Sequence, residues 1–300
     1  MKITRILTMV FVAAVLFSAC GKKASHQKTP GGLAYQVFEG KGGDSVRQGD
    51  FIKVHVTQKV NDSVYFTSTD KLPIYFNVTE AQPYDISEIW TKVRVGDSIV
   101  AVQMMDTFIK RNPQRVPPNF RNGDRIYTLA KVLAVFKNDS LKLADKTREE
   151  NLFKDAEVRK IEKYMADKNL KGQKTPSGVY VETLTPGAGE NIKAGQYVSV
   201  NYTGTSFSGE KFDSNTDSSF QHVEPLRFTV GRQEMIPGFD EAMTFMKKGT
   251  KARIYLPSML AYADRPNSPK IKPYEILIFD IEVTDVQNAA PAMPQPQVGH

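Results

Sequence analysis

The sequence predicts an α+β chain in which one fold occurs twice, and three patterns predict it. Runs of alternating apolar and polar residues, punctuated by Gly-Asp and other glycine turns, fill residues 33–138 and again residues 173–287, as strands with one buried face require. The runs of the two halves superpose at nearly constant spacing. Between them Asp139 to Lys171 is charged, free of Pro and Gly, and carries Glu150/Lys154 and Asp155/Arg159 at i, i+4, so it reads as a linker helix over 139–172 closed by Gly172.

In the first half Phe51-Ile52-Lys53-Val54-His55-Val56 alternates, as do Pro73 to Val78, Ser98 to Met104 and Ile126 to Val135. Turns fall at Gly49-Asp50, Gly96-Asp97 and Gly123-Asp124, and a helix of one to two turns is expected between Asp85 and Val93. Gly49 falls on Gly195, 146 residues later; Pro73 falls on Pro225 at 152, Gly96 on Gly249 at 153, and Ile126 on Leu277 at 151. Such spacings mean a repeated fold with small loop insertions. The linker helix has one apolar stripe, Val158, Ile161 and Met165, expected to pack along its own domains, with a homodimer interface as the alternative. In the second half Glu234 to Gly249 reads as a short helix: Pro237 suits the first turn, and Lys247-Lys248-Gly249 a basic last turn with a terminal glycine. Phe239, Ala242, Met243 and Met246 form its apolar stripe, which taken alone is core.

Three hundred residues, 40 % hydrophobic and 24 % charged, suffice for about two globular domains. The charge is +7, but Lys and Arg are scattered among acids without a basic run and interleaved aromatics, so nucleic acid is not an expected partner. The one cysteine, Cys20, excludes an intrachain disulfide or a thiolate metal cluster. Lys2 and Arg5, the apolar run Ile6 to Phe17, then Ser18 and Ala19 make residues 1–19 a signal peptide, too short to span a membrane comfortably. Leu16-Phe17-Ser18-Ala19-Cys20 resembles a bacterial lipobox, which implies lipidation of Cys20 and a lipid-anchored place in the cell envelope. Residues 20–32 are then a solvated tether, and the Pro- and Ala-rich residues 288–300 a disordered tail. His26, His55, His222 and His300 show no metal-ligand spacing, and no glycine loop suited to phosphate occurs, so neither metal nor cofactor is implied.

From Thr175 to Val286 several motifs follow one another in order. They are Val198-Ser199-Val200-Asn201-Tyr202-Thr203-Gly204, Lys211-Phe212-Asp213-Ser214-Asn215, Pro225 to Gly231, Met235-Ile236-Pro237-Gly238-Phe239, Ala261-Tyr262 and Ile276 to Val283. Together they resemble an FKBP-type peptidyl-prolyl cis-trans isomerase domain. The resemblance implies two tandem FKBP-like domains, each a twisted antiparallel β-sheet wrapped around a short α-helix, with activity in the second. It places Tyr202, Phe212, Asp213, Leu226, Phe228, Met235, Ile236, Phe239, Tyr262, Ile271 and Phe279 around a proline pocket. Phe239 would be the floor, with Tyr202, Phe212 and Phe279 as walls. The Ile236 N–H and the Tyr262 hydroxyl would hold substrate carbonyls, and Asp213 would accept from Tyr202. The sequence departs from the family in Phe239, where Trp is frequent, in Leu226, where Phe is frequent, and in the loop Asp264 to Lys270, which lacks the usual glycines.

The chemistry suits such a pocket. An X–Pro bond rotates slowly because amide resonance sets a barrier of about 18–20 kcal/mol. In the twisted transition state the amide loses its resonance dipole, so a dry aromatic cup with a few rim donors favours that state without a nucleophile. The first half has Val56 where the second has Tyr202 and Thr128 where it has Phe279. The Asn61 to Thr69 hairpin offers no Phe-Asp-Ser, Tyr84 to Val93 no Ile-Pro-Gly and Val102 to Lys110 no Ala-Tyr, so this half keeps the frame and loses the cup. The expected partners are proline-containing polypeptides among exported proteins. A non-catalytic chaperone or peptide-binding module using the same pocket is the alternative, and an interaction scaffold built on the first half a third.

Overall fold

The computed structural model describes residues 27–111, 114 and 120–290; the signal peptide, Cys20 with most of the tether, and the last ten residues of the tail lie outside them. The chain builds two seven-stranded antiparallel sheets. The first contains β1 (Gln27–Lys28), β2 (Ala34–Phe38), β3 (Phe51–Val60), β4 (Ser63–Thr67), β5 (Ile74–Asn77), β6 (Ser98–Met104) and, after helix α1 (Met105–Arg111), β7 (Arg125–Phe136). Helix α2 (Asp139–Asp167) leads to the second sheet: β8 (Gln173–Lys174), β9 (Tyr180–Thr185), β10 (Tyr197–Ser206), β11 (Lys211–Ser214), β12 (Leu226–Thr229), then α3 (Pro237–Met243), β13 (Lys251–Leu256) and β14 (Leu277–Gln287).

The order is β1-β2-β6-β7-β3-β4 with β5 on β3 in one sheet, and β8-β9-β13-β14-β10-β11 with β12 on β10 in the other, strand for strand the same. Even the irregularities repeat. Bulges interrupt β3 at Lys53/Val54 and Gln58/Lys59, and β10 at Ser199/Val200 and Gly204/Thr205, each pair 146 residues apart. A bulge bends a strand and raises its twist, so both sheets curl at the same places. Alternation then turns Ile52 and Val54, or Val198 and Val200, into the concave face, where all four are fully buried. Ile89 and Trp90 fill the first concavity, and Phe239, Ala242 and Met243 the second.

Several boundaries differ from the sequence expectation. The tether is expected to reach Gly32, but β1 pairs with β2, and the Thr29 hydroxyl donates to Glu88 (2.6 Å), which also accepts from the Gly31 N–H (2.7 Å); the folded domain therefore reaches back at least to Gln27. The helix expected between Asp85 and Val93 is two 3-10 turns, Ile86–Glu88 capped by Asp85 and Trp90–Lys92. Helix α1 was not foreseen. Helix α2 stops at Asp167, because Asn169 takes a left-handed conformation (φ 55°). Gly172 serves close approach instead: a Cβ there would lie 2.8 Å from the Met165 methyl. Helix α3 ends at Met243, short of the basic turn, because Thr244, Phe245 and Met246 each bond three residues back and tighten the helix.

Helix α2 fastens to both domains. Near its start Asp145 and Glu149 accept from the buried Lys53 ammonium (2.9 and 2.7 Å), and Asp145 also accepts from the Tyr75 hydroxyl (2.7 Å). Burial lifts the Asp145 carboxyl, yet the bonds from Lys53 and Tyr75 bring it below its ordinary value. Near its end Ile161 and Met165 pack on Tyr255, Ile276 and Ile278 of the second domain. The stripe of Val158, Ile161 and Met165 is thus covered within the chain. Among the described residues no helix is long and apolar enough to cross a membrane.

Candidate functional site

On the concave side of the second sheet five aromatic rings meet. Phe239, 3 % exposed on α3, stands with its ring 5.3 Å from Phe279 of β14 at 84°, 6.0 Å from Phe228 of β12 and 6.3 Å from Tyr202 of β10 at 81°. Phe212 of β11 meets Phe279 edge-on at 5.6 Å. Edge-to-face contacts at these separations are favourable beyond the area they bury, so the cluster holds a defined shape. Gly204 makes room for it: a Cβ there would lie 2.6 Å from the Phe212 ring and 2.9 Å from that of Phe279.

The rim is polar on one side. The Tyr202 hydroxyl donates to Asp213 Oδ2 (2.6 Å), while Asp213 Oδ1 accepts from the Ser214 N–H (2.9 Å) and meets His222 Nε2 at 2.7 Å. Burial, then the Asp213 carboxylate, raises the Tyr202 hydroxyl well above the ordinary phenol value. Burial likewise raises Tyr262, against a bond from Asn267 and with a further push from Asp213. Both hydroxyls therefore stay protonated at neutral pH and remain donors. Asn215 sets the strand behind them, accepting from the Tyr202 N–H (2.7 Å) and donating to Val200 and Glu224 carbonyls.

Helix α3 is held at its N-terminus, where Ile236 is the cap and Pro237 follows at the first helical position. The Ile236 carbonyl accepts from Phe239 and Asp240 N–H groups, Asp240 accepts from the Gly231 N–H (2.9 Å), and Glu241 accepts from the Thr175 hydroxyl (3.0 Å). Leu226, Met235, Ile236 and Tyr262 are half-buried against the aromatic core, and Ile271 is buried within it. Met235 also lines a separate cavity of about 510 Å³ with Val230 and Pro237. A larger cavity, about 900 Å³, lies elsewhere, between Val64 to Phe66 of the first domain and Met259, Ala263 and Tyr274 of the second.

Two contributors escaped the sequence reading. His222 stands in a loop with no periodicity, and nothing local marks it as a partner of Asp213. Gly204 lies inside a quoted motif, and a glycine inside a strand signals a bulge or a close approach. In the first domain the cup is not wholly gone, contrary to expectation. A cavity of about 310 Å³ persists there, lined by Val56, Ile74, Phe76, Trp90 and Thr128, with Phe76 and Trp90 rings 5.2 Å apart. What is missing is the Tyr202–Asp213 pair: Val56 and Thr128 stand where the second domain has Tyr202 and Phe279, Phe66 holds the register position of Asp213, and the polar groups on this cavity are instead Gln58, Asn77, Thr79, Asp85 and Ser87.

The site is thus a packed aromatic cluster with two protonated tyrosine hydroxyls at its edge. The family profile of FKBP-type peptidyl-prolyl cis-trans isomerases matches residues 188–284. Fkbp12, a peptidyl-prolyl cis-trans isomerase of Drosophila melanogaster, is 38 % identical over 111 residues, 37 % of this chain and 99 % of that protein. The chain belongs to the FKBP-type isomerase family. FkpA of Escherichia coli K12, named an FKBP-type isomerase, is 34 % identical over 170 residues, 57 % of this chain. The match spans 59 % of the length of FkpA. A solved isomerase from Pseudomonas syringae pv. tomato is 29 % identical with a TM-score of 0.36, covering 44 % of this chain and 95 % of that one.

Proposed function

We propose that the second domain, residues 173–287, catalyses cis-trans isomerisation of X–Pro bonds in polypeptides. The observation that carries this reading is the five-ring cluster centred on Phe239, with the Tyr202–Asp213 pair 2.6 Å apart at its edge. Proline enters against Phe239, with Phe212 and Phe279 as walls and Leu226, Phe228, Met235 and Ile271 backing the surface. The Ile236 N–H and the Tyr262 hydroxyl bind the carbonyls on either side. Tyr202 is committed to Asp213, so its part is to hold the carboxylate while presenting its ring to the cup. No proton moves and no covalent bond forms; the cup removes water and favours the twisted amide, whose dipole has fallen, over the planar one.

The first domain, residues 33–138 extended back to Gln27, is a non-catalytic partner of the second, since its cavity has Val56 in place of Tyr202 and Thr128 in place of Phe279 and so lacks the Tyr202–Asp213 pair. The clients are exported proteins, reached from an envelope membrane through a lipid on Cys20. A second copy binding along α2 would have to use the exposed Leu141, Leu143 and Leu152 rather than the buried stripe. A protease-coupled assay with a proline peptide tests the central point. Turnover supports the isomerase, whereas binding of unfolded polypeptide without any acceleration would leave a peptide-binding module in its place.

A further inference from the structure

Glu157 is 2 % exposed, on α2, outside the residues that the family profile matches. Burying a carboxyl is costly, and an apolar side chain would avoid that cost, so its placement calls for a partner worth holding. That partner is Ser258, itself fully buried and 101 residues away. One oxygen of Glu157 accepts from both the Ser258 N–H (2.8 Å) and the Ser258 hydroxyl (2.9 Å). The bonds cap the 3-10 turn Ser258–Leu260, whose own cap residue, Pro257, supplies no side-chain bond.

Ser258 passes the constraint on. Its carbonyl accepts from the Ala261 N–H (3.0 Å) and from the Ala263 N–H (2.9 Å), the residues on either side of Tyr262. The loop needs such support. Ala263 and Tyr274 both sit in the left-handed region (φ 49° and 60°), where non-glycine residues are strained, and the Tyr274 N–H donates to the Ala263 carbonyl (2.7 Å). Helix α2 touches this loop a second time, one turn before Glu157, where Phe153 meets the Tyr274 ring edge-on at 5.3 Å.

We propose that Glu157 is the positioning residue for Tyr262: it holds Ser258, and Ser258 holds the backbone on both sides of that tyrosine. The linker helix is then part of the second domain's site. This rests on the reading of Tyr262 as a rim donor to substrate.

The test uses the full chain in five forms: wild type, Glu157→Ala, Glu157→Gln, Tyr262→Phe, and Glu157→Ala combined with Tyr262→Phe. Gln keeps an oxygen that accepts both bonds; Ala keeps none. Glu157→Ala should lower kcat/KM on a proline peptide about 5- to 10-fold, while Glu157→Gln stays within about 2-fold. In the Tyr262→Phe background Glu157→Ala should cost less than about 2-fold, because neighbours acting through one group are not additive. An equal loss in both backgrounds, or Gln as damaging as Ala, overturns the proposal. Should Glu157→Ala fail to fold, Ser258→Ala, which removes only the hydroxyl, carries the same comparison. If wild type turns over no proline peptide, the isomerase reading falls by itself. Amide exchange at Ala261 and Ala263 then decides the brace: about 10-fold faster in Glu157→Ala and unchanged in Glu157→Gln upholds it, and no change in either variant overturns it.

Discussion

Replacing Glu157 by Gln should change how the stability of this protein depends on pH. Burial is the first cause acting on the Glu157 carboxyl, and despite the Ser258 bonds and the nearby Lys160 it pushes the group up from 4.5 to about 7. A folded-state pKa above the unfolded one favours folding while the group is protonated. That contribution is complete below pH 4.5 and is lost as pH rises through 7. At about 1.36 kcal/mol per unit, the loss across this window is about 3 kcal/mol. Glu157→Gln does not titrate, so relative to wild type it should gain about that much between pH 4.5 and pH 8, roughly 10 °C in the melting temperature of a domain this size. Other groups titrate alike in both proteins and cancel in the difference. The assay is urea unfolding at several pH values, followed by far-UV circular dichroism for both domains and by tryptophan emission for the first. The separation works because Trp90, the one tryptophan, is in the first domain. Parallel stability curves for the two proteins, or a gap that closes with rising pH, would refute the burial of a carboxyl at this position.

Phe239→Ala should cost roughly 3–5 kcal/mol of stability, since it leaves a cavity among Tyr202, Phe228 and Phe279, and should lower isomerase turnover per folded molecule more than Tyr262→Phe does. Tyr262→Phe removes one neutral hydroxyl at little change in volume, so kcat/KM should fall by no more than about 10-fold. Asp213→Asn keeps the size of the acceptor that Tyr202 and His222 share but removes its charge; isomerisation should drop several-fold while binding of apolar peptides persists, and an unchanged rate would remove Asp213 from the site. A fragment of residues 27–155, which retains the Lys53–Asp145 pair, should fold with Trp90 shielded from quenchers yet accelerate no proline probe; any turnover by it would put a second site in the first domain. Mass spectrometry of the native N-terminus should find Cys20 as an acylated first residue, and an unmodified cysteine or cleavage elsewhere would end the lipid-anchor proposal.

What the sequence by itself determined is whatever depends on neighbours in the chain. Val198 and Val200, or Ile52 and Val54, announce a buried sheet face because side chains alternate every second residue. Gly-Asp turns space the strands, and the recurrence of both at offsets near 146 to 153 makes the duplicated fold legible. The ring cluster was legible for a second reason: its residues lie in several short motifs whose joint order is distinctive. Only the tertiary structure decided which distant side chains meet. His222 closes on Asp213 through a loop without pattern, and Trp90 floors a cavity that the missing Tyr, Phe and Asp had suggested was lost. The Val158, Ile161 and Met165 stripe looks the same in sequence whether a domain or a second copy covers it. Glu157, in a helix rich in exposed acids, has nothing local to set it apart from them. Its burial against Ser258, 101 residues on, arises because packing of Ile161 and Met165 onto the second sheet carries that one carboxyl out of water with them.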